Sequence, residues 1–144
     1  MKNILITGGA GNVASALALK LAADSNNFIV IVDNLSTGSL TKIPKLSNVK
    51  FIKADVNIYN DIVPVFGRYN FDYVFHYAAM VGVKRTLENP ISVLEDIEGI
   101  KNILSLSKNS GIKRVFYSSS SEVYGEPFEI PQNENTTPLN SRLP

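Results

Sequence analysis

Residues 4–15 read ILITGGAGNVAS and decide the fold of this chain. Three apolar residues lead into a glycine-rich turn, and a leucine-rich helical segment follows. A turn of this kind lets main chain approach a pyrophosphate closely, and the start of the helix adds amide donors and a partial positive charge. The run Gly9-x-Gly11-x-x-Ala14 fits the dinucleotide-binding fingerprint with alanine in its third place.

A carboxylate follows the second apolar run of the chain. Residues 28–32 are all apolar and end in Asp33, about twenty residues after Gly11. A carboxylate at this place can accept hydrogen bonds from both hydroxyls of an adenosine ribose, and it would repel a 2′-phosphate. The alternative is a tight turn followed by an acid at a strand end. The order of strand, turn, helix, strand and acid favours a dinucleotide site over this alternative. The repulsion of a 2′-phosphate favours NAD over NADP.

The composition sets limits on the class of protein. With 144 residues, 44% hydrophobic and 19% charged, the chain is expected to form one globular domain over residues 1–144. A net charge of +1 gives no electrostatic reason to expect binding to nucleic acid or to an anionic membrane. The absence of cysteine excludes a disulfide framework and a thiolate metal site. No run reaches membrane-spanning length, so we expect a cytoplasmic protein.

Strands and helices alternate along the sequence. The predicted strands are Asn3–Thr7, Phe28–Val32, Val49–Lys53, Tyr73–His76 and Arg114–Ser118, and the predicted helices are Val13–Ala23, Ile58–Arg68 and Ile91–Asn109. This order predicts an α/β fold with a doubly wound parallel sheet of the Rossmann type. Residues 124–144 lack periodicity and are expected to form a long loop.

Three further segments follow predicted strands at their carboxyl ends, where ligands bind in this architecture. Asp55 and Val56 could hold adenine, Ala78 and Ala79 would let main chain approach the cofactor, and the serine-rich run from Ser118 offers hydroxyls for a substrate alcohol. Each segment has a simpler interpretation, as a strand terminus or as a polar turn that satisfies its own main chain.

Taken together, the motifs carry a resemblance. TGGAGNVAS, VDNLSTG, ADV, FHYAA, ENP and SSSSEVYGE occur in this order between residues 7 and 126. The chain resembles the extended short-chain dehydrogenase/reductase family, specifically its NAD-dependent nucleotide-sugar epimerases and dehydratases. The resemblance runs from Lys2 to about Pro138. It implies NAD as cofactor, a UDP- or dTDP-sugar as substrate and a homodimer at full length.

The resemblance also implies roles for individual residues. Those that would bind the cofactor are Gly8, Gly11, Asn12, Val13, Asp33, Asn34, Ser36, Thr37, Gly38, Asp55, Val56, Tyr77, Ala78, Ala79, Val81, Asp96 and Ser118. Those that would act on or border the substrate are Ser120, Glu122, Lys84 and Arg85. Asp96 stands where the family commonly has asparagine, so weaker cofactor binding or a local partner for this carboxylate is expected.

In such enzymes a tyrosine phenolate removes a proton from the sugar's 4-hydroxyl while the C4 hydride passes to NAD, which gives a 4-keto intermediate. Ser120 matches the hydroxyl that binds the 4-hydroxyl. The run VGVKRTLENP at residues 81–90 resembles the epimerases and favours an isomerase of carbohydrate biosynthesis, a nucleotide-sugar 4-epimerase. Glu122 resembles the decarboxylases and 4,6-dehydratases instead, and these stay open as alternatives.

The chain departs from the family in one large respect. The Tyr-x-x-x-Lys pair that supplies the base is absent from the 144 residues. We therefore expect the chain to represent the cofactor-binding half of a longer enzyme, to stop before that pair and the substrate-binding part, and to be inactive by itself. A non-catalytic NAD-binding module is the alternative from another class of protein. His76 is expected to be packed and hydrogen-bonded rather than catalytic.

Overall fold

The structure is a computed structural model that describes residues 1–80, 82–125 and 129–137. Its strands are β1 (Lys2–Thr7), β2 (Asn27–Asp33), β3 (Val49–Lys53), β4 (Tyr73–His76) and β5 (Arg114–Tyr117). Its α-helices are α1 (Asn12–Ala22), α2 (Tyr59–Arg68), α3 (Val83–Glu88), α4 (Pro90–Glu95) and α5 (Ile97–Asn109). Short 3₁₀ turns occupy Leu40–Lys42 and Ser121–Tyr124.

The five strands form one parallel sheet in the order β3-β2-β1-β4-β5. The chain starts at the centre, with Ile6 of β1 opposite Ile31 of β2 on one side and Phe75 of β4 on the other. It winds outward through β2 and β3 and then returns to add β4 and β5. The direction of winding therefore reverses between β1 and β4. The predicted fold is confirmed, and each predicted strand lies within one residue of the observed one.

Both faces of the sheet are covered, which explains why the strands are apolar runs rather than alternating ones. On one face Leu5 and Val30 pack with α2 and α5 through Ile62 and Ile103. On the other face the strand residues Ile4, Ile6, Ile29 and Ile31 pack against Ala14, Ala18 and Ala22 of α1. These alanines let α1 lie close to the sheet. The start of α1 is thereby held directly beyond the end of β1.

The single long helix predicted over Ile91–Asn109 is wrong, because the structure has two helices that are interrupted at Asp96. Pro90 occupies the first turn of α4. The apolar residues of this segment are divided: Ile103 and Leu106 are buried, whereas Ile91, Leu94, Ile97 and Leu104 are exposed. The helix α3 was not predicted. Hydrophobic periodicity alone does not reveal an interruption of a single residue.

Past Tyr124, the described part of the predicted loop over residues 124–144 has only turns and bends. Residues 126–128 and 138–144 lie outside the described part of the chain. Within the described ranges, no helix is long and apolar enough to cross a membrane.

Candidate functional site

A cleft of about 970 Å³ lies at the carboxyl ends of the strands. It opens where the winding of the sheet reverses, which is the usual place for a ligand in doubly wound sheets. Its walls come from the turn after β1, from the segments after β2, β3 and β4, from the two residues after β5, and from residues of α3 and α4. The cleft is large enough for a dinucleotide-sized molecule.

The turn between β1 and α1 forms one wall of the cleft. Gly8 has a φ of +66°, and a Cβ at this position would lie 2.6 Å from the main-chain nitrogen of Ala78. Residue 8 must therefore be glycine for the turn to pack against the segment after β4. Gly11 caps α1 in extended conformation without a side-chain hydrogen bond. The first-turn amides of α1 are thus available to an anion.

Asp33 holds the turn and the next loop together at the end of β2. Its carboxylate is buried, with Oδ2 accepting from the Ala10 N–H at 3.0 Å and Oδ1 accepting from the Leu35 N–H at 2.7 Å. Leu35 has a φ of +65°, a strained conformation for leucine, and the bond to Asp33 holds it there. A carboxylate has about four lone-pair positions, so acceptor capacity remains on the side that faces the cleft.

A chain of hydrogen bonds crosses the floor of the cleft. Asn34 donates through Nδ2 to Asp55 at 2.9 Å, and the other Asp55 oxygen accepts from the Asn57 N–H at 2.9 Å. Asn57 donates through Nδ2 to Asp96 at 3.1 Å, and Asp96 accepts from the Met80 N–H at 2.6 Å. The segments after β2, β3 and β4 are therefore connected through side chains that line the cleft.

His76 supports the segment after β4 from within the sheet. Its side chain is buried, and Nδ1 lies 2.8 Å from the Thr7 hydroxyl, which accepts from the Ala78 N–H at 3.3 Å. Burial lowers the pKa of His76 to about 4, against a smaller opposing effect of the Asp96 charge. The arrangement suits a neutral ring with its hydrogen on Nε2. The prediction of a packed, hydrogen-bonded histidine is confirmed.

The comparisons with known proteins agree with this geometry. Residues 4–144 match the model of the NAD dependent epimerase/dehydratase family. The chain belongs to this family.

The relatives of this chain include UDP-sugar 4-epimerases. A UDP-arabinose 4-epimerase from Arabidopsis thaliana is 33% identical over 96% of this chain, and a UDP-glucose 4-epimerase from Streptomyces lividans is 34% identical over 94%. The chain spans 35% and 42% of the lengths of these two relatives.

Solved structures of the family have the same fold. The UDP-glucose 4-epimerase from Thermus thermophilus, in complex with NAD, superposes with a TM-score of 0.82 at 30% identity. The match covers 96% of this chain and 44% of that one. The enzyme from Bifidobacterium longum, in complex with NAD⁺ and UDP, gives 0.82 at 28% identity and covers 97% and 43%.

Most of the predicted site residues line the cleft at the carboxyl ends of the strands. These are Gly8, Gly11, Asn12, Val13, Asp33, Asn34, Ser36, Thr37, Asp55, Val56, Tyr77, Ala78, Ala79, Asp96 and Ser118. Arg85 lines it as well. The expected local partner of Asp96 is present, in fact twice, as Asn57 and Met80.

Several predicted residues are not brought to the cleft. Gly38 packs behind its wall, where a Cβ would lie 2.7 Å from Ala10 and 2.8 Å from the Asp33 carboxylate. The Lys84 side chain is 86% exposed and lies 3.9 Å from Glu88. Ser120 is exposed and is not part of the lining. Val81 and the side chain of Glu122 lie outside the described part of the chain.

Sequence reasoning missed other lining residues, namely Lys42, Ala54, Asn57, Ile58, Ser92 and Glu95. Asn57 is the most consequential of them, because it joins Asp55 to Asp96. Its signal was in the sequence: an Asp followed two residues later by Asn fits a turn in which the acid accepts the second residue's N–H. Lys42 carried no such signal, because a separate 3₁₀ turn brings it to the cleft.

Proposed function

We propose that this chain is the cofactor-binding part of an NAD-dependent nucleotide-sugar 4-epimerase similar to UDP-glucose 4-epimerase. The observation that carries the proposal is the pairing of the Gly8–Gly11 turn with the buried Asp33 carboxylate in one cleft at the reversal of the sheet. The names of the relatives, which are UDP-sugar 4-epimerases, support the reaction type.

The residues of the cleft fit a dinucleotide. The uncapped first turn of α1 offers amides to a pyrophosphate, and the remaining acceptor positions of Asp33 suit two ribose hydroxyls. Asp55 lies farther along the same wall, where an acceptor suits the adenine amino group. The main chain of Ala78 and Ala79 lines the opposite end. When bound, NAD would accept the hydride from C4 of the sugar.

The catalytic roles remain part of the proposal. Ser120 would hold the sugar's 4-hydroxyl, and Lys84 would border the substrate, which is a UDP- or dTDP-sugar. The Tyr-x-x-x-Lys run does not occur in the 144 residues. We therefore propose that the base comes from outside this sequence and that the 144 residues alone do not turn over substrate.

Two alternative functions are each supported by one feature of the sequence. Glu122 in the run SSSSEVYGE favours a nucleotide-sugar decarboxylase or 4,6-dehydratase of the same family. The absence of Tyr-x-x-x-Lys favours a non-catalytic NAD-binding module. We rank the epimerase first because the named relatives are 4-epimerases.

We further propose a homodimer of the full-length protein. Large apolar side chains are exposed at intervals of three to seven residues along α3, α4 and α5, at Leu87, Ile91, Leu94, Ile97 and Leu104. An exposed apolar stripe of this extent is unusual for a monomer and suits a second copy of the same surface. The cytoplasm stays the proposed location.

The test uses the full-length gene product. Calorimetric titration is expected to show binding of NAD and much weaker binding of NADP, because Asp33 repels a 2′-phosphate. Incubation with UDP-glucose or UDP-arabinose is expected to give the C4 epimer. A 4-keto-6-deoxy sugar or released carbon dioxide would replace the epimerase with one of the alternatives, and tighter binding of NADP than NAD would overturn the cofactor assignment.

A further inference from the structure

One carboxylate connects two walls of the cleft that follow strands which are not neighbours in the sheet. Asp96 lies between α4 and α5 and is half-buried. Its Oδ2 accepts from the Met80 N–H at 2.6 Å, in the segment after β4, and its Oδ1 accepts from Asn57 Nδ2 at 3.1 Å, in the segment after β3. Two strands separate β3 from β4 in the sheet, so these strands are about 14 Å apart.

The break between the helices brings Asp96 to this position. The helical hydrogen bonding tightens at this point, with the Gly99 N–H donating to the Asp96 carbonyl at 3.3 Å. Gly99 in turn lies against Asn57, since a Cβ at residue 99 would be 2.7 Å from Asn57 Oδ1. The interruption between α4 and α5 and the bridge that Asp96 forms therefore lie at the same residue.

Asp96 also sets the orientation of Asn57. A carboxylate only accepts hydrogen bonds, so Asn57 must turn its Nδ2 toward it. The Asn57 Oδ1 atom is then left buried with no hydrogen-bond partner among the described residues. An unpaired buried acceptor is destabilising. The orientation of Asn57 is thus explained by the bond to Asp96 and not by the surroundings of Oδ1.

We propose that Asp96 is a positioning residue for the cofactor, in that its carboxylate fixes the distance between the Asp55–Asn57 wall and the Ala78–Met80 wall. The inference rests on the proposed function, in which the adenine end of NAD lies at the first wall and the nicotinamide end at the second. A cleft held at a fixed width binds a molecule that spans it without first ordering a loop. A ligand that reaches only the adenine wall gains nothing from the bridge.

The experiment compares two ligands on four forms of the full-length gene product. NAD spans both walls, whereas ADP reaches only the adenine and pyrophosphate region. The forms are the wild type, Asp96→Ala, Asp96→Asn and the control Glu98→Gln, which removes an exposed acid of α5 that forms an ion pair with Lys101. Asp96→Ala is expected to weaken NAD binding about tenfold and ADP binding less than about twofold.

Asp96→Asn is expected to give an intermediate loss for NAD, about threefold, with ADP unchanged. Its amide oxygen can accept from Met80, and its Nδ2 can donate to Asn57 Oδ1 once the Asn57 amide turns over. This variant carries the same test if Asp96→Ala does not fold. Glu98→Gln is expected to bind both ligands as the wild type does.

A second measurement does not depend on a ligand. Amide hydrogen exchange at Met80 in the free protein is expected to be faster in Asp96→Ala than in the wild type and unchanged in Glu98→Gln. Equal losses for NAD and ADP, no loss for either, or unchanged exchange at Met80 would overturn the role of Asp96. Failure of the wild type to bind NAD would instead overturn the proposed function.

Discussion

The Asp33 side chain holds two segments of main chain in place and also has acceptor positions left for a ligand. Its oxygens already accept from the Ala10 and Leu35 main chain, and these bonds give the glycine turn and the loop after β2 their positions. The lone pairs that remain are the ones a ribose would use. Under the proposed function, the stability of the fold and the recognition of the cofactor are therefore coupled at this residue.

Asp33→Asn is expected to weaken NAD binding about tenfold or more, because the amide turns an N–H toward one of the two main-chain donors or toward the ribose. The preference for NAD over NADP is expected to shrink as well, since the charge that repels a 2′-phosphate is lost. Titration with both dinucleotides measures the ratio, with Glu98→Gln as the control. An unchanged ratio would show that Asp33 does not set the preference.

His76 makes a prediction about pH. Its pKa is about 4 in the fold, below the unfolded value of 6.5, so the folded protein stays neutral at residue 76 while the unfolded chain takes up a proton. The contribution of the neutral His76 to the free energy of unfolding is complete above pH 6.5 and is lost as the pH falls toward 4. Between pH 7 and pH 5 it amounts to about 2 kcal/mol of unfolding free energy.

The variant His76→Gln is expected to remove this part of the pH dependence. Urea unfolding of the wild type and the variant at pH 7 and pH 5 measures it. The variant is expected to be less stable than the wild type at pH 7 and to lose about 2 kcal/mol less on acidification. An equal loss in both proteins would show that His76 takes up its proton in the fold.

At the scale of elements, the close approach of α1 to the sheet sets the position of the amides at its start. Ala18→Leu places three additional carbons where Ala18 is fully buried against the isoleucines of β1 and β2, so it is expected to cost about 1–3 kcal/mol and to weaken NAD binding. Ala16→Leu is the matched control, because Ala16 is exposed on the same helix. Thermal unfolding and NAD titration measure both. Equal behaviour of the two variants would contradict the importance of this packing.

The elements also show which features the sequence could predict. The five strands, the glycine turn and Asp33 are local, since each is determined by the run of residues that contains it. The contact at the interruption is not local, because the Asp96 carboxylate accepts from the Met80 N–H, sixteen residues earlier in the chain. Lys84 and Ser120 were assigned by resemblance, and their positions depend on segments outside the sheet. Hydrophobic periodicity predicts neither the hydrogen bond between Asp96 and Met80 nor the positions of Lys84 and Ser120.

At the scale of the whole molecule, the helices α3, α4 and α5 carry an apolar stripe that the described part of the chain leaves exposed. Leu94 is 75% exposed and Ile91 is 71% exposed, although both are large apolar side chains on a helix. The opposite side of the sheet is different. There α1 packs tightly, and the large apolar residues that it leaves exposed are Val13 and Leu19. A second copy that covers the stripe would remove this surface from water.

Leu94→Glu is therefore expected to convert a dimer of the full-length gene product into a monomer, because it places a charge at the centre of the stripe, where its partner surface is also apolar. Leu19→Glu is the matched control, since it adds the same charge at an exposed helical leucine, 56% exposed, on the other face of the sheet. Sedimentation velocity over a range of concentrations measures the mass of each variant. Because the cleft lies at the strand ends and Leu94 is not part of its lining, the Leu94→Glu monomer is expected to retain NAD binding. A dimer that survives Leu94→Glu, or a wild type that is monomeric at all concentrations, would show that the stripe has another role.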